Sequence, residues 1–285
     1  MPAWSVGQCV QLACILEATA RKPGNVTRFH DFADLTYLDL LVSAAAIAPI
    51  FEQASRESVG VTVLQCVERT RQACATNSNL GLVLALAPLA ASEPVDNVAS
   101  VLRGLTVEDS RAVFSAIRLA RPGGLGRATQ QDVFREPTLP LREVMALAAD
   151  RDLIARQYAT DFADVFQIGV PALCEPTTVR ILPPWDEARR ITLPLGLEES
   201  IVRCHLRLLA ELGDSHIARR CGLATAEEAQ RQARGVLNGQ LSWGEFDAWL
   251  RADGHRRNPG STADLTAASL FVALRSGMIE FPLRF

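Results

Sequence analysis

The chain has 285 residues, of which 48% are hydrophobic and 21% are charged, and its formal net charge is −3. A chain of this length can bury one sizeable core, and its nearly balanced charge argues against nonspecific binding to nucleic acid or to an anionic membrane. No signal peptide is predicted, because no apolar run follows a basic N-terminus, and the apolar stretch 80–91 is too short to span a membrane.

Apolar residues recur at helical spacing along most of the chain. This pattern predicts helices over 5–20, 37–55, 60–75, 80–91, 106–120, 140–168, 198–212, 225–236, 242–252 and 261–277. Residues 140–168 are expected to form one long helix or two abutting helices, with Gly169 as the natural stop. Thr106-Val-Glu-Asp109 has the form of a capping box at the start of its helix.

Several segments interrupt the helical pattern. Residues 21–34 and 132–138 are predicted loops, and the proline-rich stretch 174–198 is a candidate irregular excursion. Gly123-Gly-Leu-Gly126 follows no predicted strand, so we interpret it as a helix terminator and not as a dinucleotide fingerprint. Short alternating apolar–polar runs separated by turns are missing from the sequence. We therefore predict an all-α fold, a single compact multi-helix bundle-like domain over residues 1–285.

Cysteine and histidine spacing bears on metals and redox chemistry. The seven cysteines are scattered, and none forms a Cys-x-x-Cys pair. This spacing predicts neither a zinc knuckle nor a disulfide framework, so we expect reduced, mostly buried thiols in a cytoplasmic protein. The four histidines lack the close spacing of zinc ligands. His216, which follows Asp214 closely, is either a general base or a structural histidine.

Residues 17–34 contain the only lysine of the chain, Lys22, before Pro23-Gly24 in a predicted turn. The other 28 basic residues are all arginine. Arginine and lysine are not interchangeable where a compact charge must reach one phosphate or carboxylate. Lys22 is therefore a candidate phosphate contact, and chance survival in a surface loop is the alternative.

Three carboxylates, Glu17, Asp161 and Asp264, share helical stripes with apolar residues and are expected to face inward. A buried ionised carboxylate is costly unless it pairs with a cation, caps backbone groups or holds a metal. One such acid usually forms a salt bridge, but three favour a polar cavity within the bundle. Acids between helices often hold divalent metal, and Mg²⁺ commonly bridges carboxylates to phosphates. Loop acids that could join them are Asp31, Asp34, Asp132 and Asp214.

Other residues could complete a phosphate site. The candidate cations are Lys22, Arg28, Arg156 and Arg219. Thr76, Asn77 and Asn79 precede the apolar helix, whose N-terminal N–H groups would favour an anion. Ordinary capping is the alternative for these three residues. The same two interpretations apply to Ser261, in the segment that precedes Asp264.

Five motifs in collinear order resemble the triphosphoribosyl-dephospho-CoA synthase family, which serves citrate lyase and malonate decarboxylase. The motifs are Glu17 with Lys22-Pro-Gly-Asn-Val, His30-Asp31 with Asp34 and Ser43-Ala-Ala, Thr76-Asn77-Ser-Asn79-Leu-Gly81, Asp214-Ser-His-Ile-Ala-Arg219, and Asn258-Pro-Gly-Ser261-Thr-Ala-Asp264-Leu. The resemblance implies a helical cytoplasmic transferase. In its reaction the ribose 2′-hydroxyl of 3′-dephospho-CoA displaces adenine from C1′ of ATP.

The resemblance also implies roles for individual residues. Carboxylates would stabilise oxocarbenium character at the anomeric carbon and take the proton of the attacking hydroxyl, and Mg²⁺ would help hold the triphosphate. We expect no nucleic-acid or membrane partner, and we expect a homodimer. The assigned residues are Glu17, Asp31, Asp34 and Asp264 for catalysis, Lys22, Arg28, Thr76, Asn77, Asn79, Arg156, Arg219 and Ser261 for substrate binding, and Asp161 and Asp214 for metal.

Two departures from the family pattern bear on the acceptor. Asn79-Leu80 stands where the family has His-Lys, and the family's Arg-Gly-Glu stretch has no clear counterpart. Instead, residues 150–162 resemble a divergent branch from archaea, planctomycetes and methylotrophic bacteria. One alternative is therefore a related ribosyl or phosphoribosyl transfer in the biosynthesis of a tetrahydromethanopterin-type one-carbon carrier. The other is a non-catalytic nucleotide- or CoA-binding regulator.

Overall fold

The computed structural model describes residues 4–74, 76, 79–122, 130–175, 181–182 and 195–279. These residues form fourteen α-helices and contain no β-strand, apart from one isolated bridge between Thr27 and His30. The all-α prediction is therefore confirmed. The buried apolar side chains form one continuous cluster that draws on helices from both ends of the chain. That the whole chain is a single domain stays a prediction.

The helices are numbered in chain order. They are α1 (Val6–Thr19), α2 (Tyr37–Phe51), α3 (Val59–Ala73), α4 (Leu80–Ala91), α5 (Val98–Arg103), α6 (Val107–Ala120), α7 (Leu141–Ala146), α8 (Leu153–Ala159), α9 (Val170–Cys174), α10 (Leu195–Leu212), α11 (Ser215–Cys221), α12 (Leu223–Leu237), α13 (Trp243–Arg251) and α14 (Gly260–Arg275). A 3₁₀ turn at Val95–Asn97 precedes α5, and a π-helical turn at Val165–Gly169 precedes α9.

Side-chain caps fix where several helices begin. Thr106 accepts a hydrogen bond from the backbone N–H of Asp109, whose carboxylate accepts one from the backbone N–H of Thr106. The predicted capping box is thus confirmed, and α1, α2 and α13 start with the same reciprocal arrangement. Each box satisfies backbone donors that the first helical turn leaves without partners.

Helices α4 and α14 form the centre of the molecule. Nearly every residue of α4 is buried, as its all-round apolar sequence predicts. Helix α14 is buried from Leu265 to Leu274 and packs against α1, α4 and α10. The first turns of α4 and α14 meet, because Gly81 lies directly against the side chain of Asp264. This junction positions the candidate site.

The prediction for residues 140–168 is wrong. Helix α7 ends at Ala146 and α8 at Ala159, and Asp161 and Phe162 then take positive φ angles of 54° and 61°. Gly169 does not stop a helix, because the π-helical turn continues through it into α9. A Cβ atom at Gly169 would lie 3.0 Å from the Cβ of Ser269. A glycine at position 169 therefore permits close packing of the chain against α14.

The stretch 174–198 falls mostly outside the described residues, as does the glycine-rich segment 123–126. Within the described part of 174–198, the backbone N–H groups of Ile181 and Leu182 donate to the carboxylate of Glu199. Helix α10 starts at Leu195. Helices α5, α9 and α11 have no counterpart among the predicted helices.

None of the described helices is by itself both long and apolar enough to cross a membrane. Helix α4 and residues 95–103 together meet the length and composition criteria, but they are bent by 108° relative to each other.

Candidate active site

Asp264 lies in the first turn of α14 and is the central acid of the site. Protein atoms surround its carboxyl group on most sides, but part of the residue remains accessible, so it lines a niche. Its carboxyl group has no hydrogen-bond or ion-pair partner among the described residues. Burial raises its pKa well above the usual range, and the charges of Glu17, Asp214 and Asp152 raise it further, whereas Arg219 opposes them. We call Glu17, Asp152, Asp214 and Asp264 the acid cluster.

Glu17, in the last turn of α1, faces inward as predicted and is 8% exposed. Its Oε1 lies 2.8 Å from the Nζ of Lys22, which also donates to the backbone carbonyl of Glu17. Lys22 has no exposed surface, and its ammonium is paired with Glu17. The phosphate contact predicted for Lys22 stays a prediction.

A buried histidine that no sequence pattern assigns to the site lies next to this ion pair. His205 on α10 is fully buried, and neither of its ring nitrogens has a hydrogen-bond partner within the described residues. Burial, and then the charge of Lys22, lowers its pKa well below the usual value. The imidazole is therefore neutral at physiological pH. The position of His205 beside Lys22 depends on the packing of α10 against residues that are distant in sequence, so no local pattern predicts it.

Asp214 ties α11 to α14. Its Oδ1 accepts a hydrogen bond from the N–H of Ile217 at 2.9 Å, and its Oδ2 accepts from both the N–H and the hydroxyl of Thr262 at 2.8 Å. Both carboxylate oxygens thus accept hydrogen bonds from helix-start donors. Oδ1 accepts only one bond and keeps a second lone pair, so the metal role of Asp214 stays a prediction.

Asp161 does not face inward, and that prediction is wrong. Its side chain is 41% exposed and pairs with Arg142 at 2.7 Å. Because α8 ends two residues earlier, the helical spacing used to place Asp161 does not extend to it. The buried acid of this segment is Asp164, which Arg156 contacts at 2.9 Å and Gln157 at 2.8 Å.

The structure as described contains no group of three or more His, Cys, Asp or Glu side chains arranged to hold a metal ion. Asp31 and Asp34, in the loop before α2, are exposed. One oxygen of Asp31 accepts from the N–H of Tyr37 at 2.7 Å, and one oxygen of Asp34 lies 3.5 Å from Nε2 of His255. The other oxygen of each carboxylate has no protein partner in the described part of the chain.

The loop that carries Asp31 and Asp34 lies against the segment that leads into α14. The ring of Phe32 stacks on His255 with centroids 5.0 Å apart. The side-chain amide of Asn25 donates to the side-chain oxygen of Asn258, two residues before α14 begins. The two loop acids are thereby held close to the N-terminus of α14, which also carries Asp264.

Two of the four predicted phosphate cations keep exposed surface near the acid cluster. Arg219 pairs with Asp152 at 3.0 Å and its side chain is 32% exposed, and the side chain of Arg156 is 44% exposed. Arg28 is different, because its guanidinium is enclosed and donates to the carbonyl of Thr19 at 3.0 Å. Its burial lowers its pKa. In this structure Arg28 therefore contacts other parts of the protein, namely Thr19 and Glu198.

Two further predicted substrate-binding residues, Asn79 and Ser261, lie at the starts of α4 and α14. Asn79 donates to the hydroxyl of Thr70 at 2.9 Å and does not cap α4 with its side chain. Ser261 is buried with its hydroxyl 2.8 Å from that of Ser215. Thr76 is partly exposed, and Asn77 lies outside the described residues.

A cavity of about 920 Å³ lies beside the acid cluster. Helices α8 and α11 contribute its polar wall, which includes Asp152, Arg156 and Arg219. Helices α6 and α7 contribute apolar side chains such as Phe114 and Val144. Its volume falls within the roughly 300–1,000 Å³ of small-molecule sites.

The described residues thus define an all-α protein with an acid cluster beside a ligand-sized cavity. The crystal structure of an Archaeoglobus fulgidus protein with the provisional name triphosphoribosyl-dephospho-CoA synthase is similar to it, with a TM-score of 0.61 and 25% sequence identity. The match covers 83% of this chain and 98% of that one. A comparison with curated protein sequences gives no match.

The family profile described as ATP:dephospho-CoA triphosphoribosyl transferase matches residues 3–280. The chain belongs to this family, and it is a transferase of the triphosphoribosyl-dephospho-CoA synthase type. The resemblance seen in the five sequence motifs is thereby confirmed at the level of the family. Membership of the divergent branch stays a prediction.

Proposed function

We propose that the niche formed by Asp264 and Glu17 is the place where the triphosphoribosyl group of ATP is transferred to the 2′-hydroxyl of 3′-dephospho-CoA. The observation that carries this proposal is the position of Asp264, a partly buried acid that lies among other acids and has no partner for its carboxyl group in the described part of the chain. Burying an acid in this way is costly and does not serve packing. Carboxyl groups with perturbed pKa values in clefts are typical of functional sites.

In the proposed reaction, the oxygen of the acceptor hydroxyl bonds to C1′ of ATP while the bond from C1′ to N9 of adenine breaks. The bonding electrons leave with adenine, and the proton lost by the hydroxyl is balanced by the proton that adenine gains. Asp264 takes the hydroxyl proton, because burial among other acids raises its pKa and makes its ionised form a stronger base. Glu17, held by Lys22 at 2.8 Å, stabilises positive charge at C1′.

The proposal includes Mg²⁺ on the triphosphate. Mg²⁺ prefers oxygen ligands and, in nucleotide sites, usually takes one or two carboxylates together with phosphate oxygens. Asp31 and Asp34 fit that role, because each is exposed and keeps one oxygen without a partner in the described chain. When bound, Mg²⁺ would offset the negative charge of the phosphates. Asp161 is not assigned to it.

Arg219 is the proposed phosphate contact nearest the acid cluster, since its charge acts on Asp264 and its side chain is partly exposed. The family assignment does not favour ribosyl transfer to a one-carbon carrier or a non-catalytic regulator. We place the reaction in the cytoplasm, where ATP is available. The expected homodimer stays a prediction, and light scattering after size-exclusion chromatography tests it.

The test is to incubate the purified protein with ATP and Mg²⁺, with and without dephospho-CoA, and to measure free adenine. We expect adenine only when dephospho-CoA is present, in a one-to-one ratio to the modified acceptor. ATP binding without adenine release would overturn the proposal. Omitting Mg²⁺ in a parallel reaction tests the metal separately.

A further inference from the structure

The 920 Å³ cavity has its arginines on one side. Arg156 of α8 and Arg219 of α11 lie on that side, and their side chains are 44% and 32% exposed. The wall formed by α6 and α7 carries Val113, Phe114 and Met145. A ligand that fits such a cavity has an anionic group at one end and a long, largely uncharged chain at the other.

The charges of the cavity exclude a strongly anionic ligand that fills it. Its lining includes five acidic residues and three arginines, and all three arginines are already paired with carboxylates. The arginines are Arg151, Arg156 and Arg219. A nucleoside triphosphate enclosed here would face net negative charge. A diphosphate at the arginine wall would leave the rest of the cavity for an uncharged chain.

We infer that this cavity binds the pantetheine arm of the acceptor, with the diphosphate of dephospho-CoA at Arg156 and Arg219. The inference rests on the proposed function. Dephospho-CoA consists of adenosine, a diphosphate and an uncharged pantetheine chain. The charge of Arg219 acts on Asp264, so a diphosphate at Arg219 keeps the adenosine ribose close to the acid cluster. The cavity, and not the acid cluster, then selects the acceptor.

Ala148 provides the test, because it lines the cavity next to α7. Ala148→Phe places a ring in the cavity, whereas Ala146→Phe, two residues earlier, places the same ring on an exposed position that does not line it. Calorimetry with dephospho-CoA and with ADP, which lacks the pantetheine arm, measures what each part contributes. Ala218→Leu, on the α11 wall, repeats the experiment if Ala148→Phe does not fold.

We expect Ala148→Phe to weaken dephospho-CoA binding at least tenfold and to leave ADP binding unchanged, and Ala146→Phe to change neither. Equal loss for ADP and dephospho-CoA would overturn the inference in favour of a nucleotide cavity. Unchanged binding of dephospho-CoA would also overturn it. The readout is binding, so it is separate from turnover. If the variants show this pattern but the wild-type protein releases no adenine, the proposed reaction fails and the cavity assignment stands.

Discussion

Replacing Gly81 by alanine adds one methyl group at the junction of α4 and α14. The new Cβ would lie 2.9 Å from Cγ of Asp264, with the carboxylate oxygen Oδ2 closer still. The backbone of α4 is buried and cannot move easily, so the carboxyl group must retreat. A displacement of about 1 Å in a reacting group costs about 10²-fold in rate, or ~2.7 kcal/mol of transition-state stabilisation.

Helix propensity acts in the opposite direction on stability. Alanine is favoured over glycine by about 1 kcal/mol within a helix, which offsets part of the steric cost. Gly244→Ala is the matched control, because Gly244 is also the second residue of its helix, α13, and an added Cβ would contact nothing within 4 Å. We therefore expect Gly81→Ala to remain folded with a low rate, and Gly244→Ala to be fully active.

The assay is adenine release at saturating ATP and dephospho-CoA, together with a thermal melt of each variant. A Gly81→Ala protein with the wild-type rate and a native melt would refute the role of Asp264, since the carboxyl group would then tolerate displacement. Loss of activity in Gly244→Ala would refute the reasoning from local geometry.

Three further substitutions test separate parts of the account. Lys22→Met leaves the Glu17 carboxylate buried without its cation and should destabilise the protein by about 3–5 kcal/mol in urea titrations; an unchanged midpoint would contradict the buried ion pair. Below pH ~6.5 the unfolded chain protonates His205 while the native protein does not, so the free energy of unfolding falls as pH falls. His205→Phe should reduce the dependence of stability on pH in melts between pH 7 and pH 5. Asp161→Asn removes only the half-exposed contact with Arg142, so activity and its Mg²⁺ dependence should not change, and a lost Mg²⁺ response would restore the metal role.

Much of the fold is predictable from the sequence, because its signals are local. The apolar run 80–91 predicts both ends of α4 correctly. The spacing of Thr106 and Asp109 predicts where α6 begins. The inward orientation of Glu17 follows from helical spacing alone, since α1 continues past it to Thr19. These features depend on residues within a few positions of each other.

The errors arise where tertiary contacts decide the backbone. Helical spacing assigns Asp161 to the interior only if α8 continues, but the chain leaves the helix at Thr160 and buries Asp164 instead. Gly169 has the sequence appearance of a helix stop, and its close approach to Ser269 depends on a helix 100 residues later. Local sequence contains neither fact.

Composition marks Lys22 as a candidate phosphate contact, but it does not predict that the ammonium pairs with Glu17. A single lysine among arginines predicts a special site, and Lys22 does lie beside the acid cluster. Lys22 is fully buried, and its neighbours contact distant helices, since Arg21 pairs with Glu198 on α10 and the N–H of Gly24 donates to Asp247 on α13. No local pattern reveals these contacts. The single lysine therefore predicts where the site lies, whereas its contact with Glu17 appears only in the structure.

The central claim is that Asp264 takes part in the transfer, and Asp264→Asn tests it most directly. Since the folded-state pKa of Asp264 lies above its unfolded value, its ionisation destabilises the native protein as pH rises, and asparagine removes that penalty. We predict a variant that melts at or above the wild-type temperature at alkaline pH and releases no adenine from ATP in the presence of dephospho-CoA. Adenine release at the wild-type rate by folded Asp264→Asn would contradict the account.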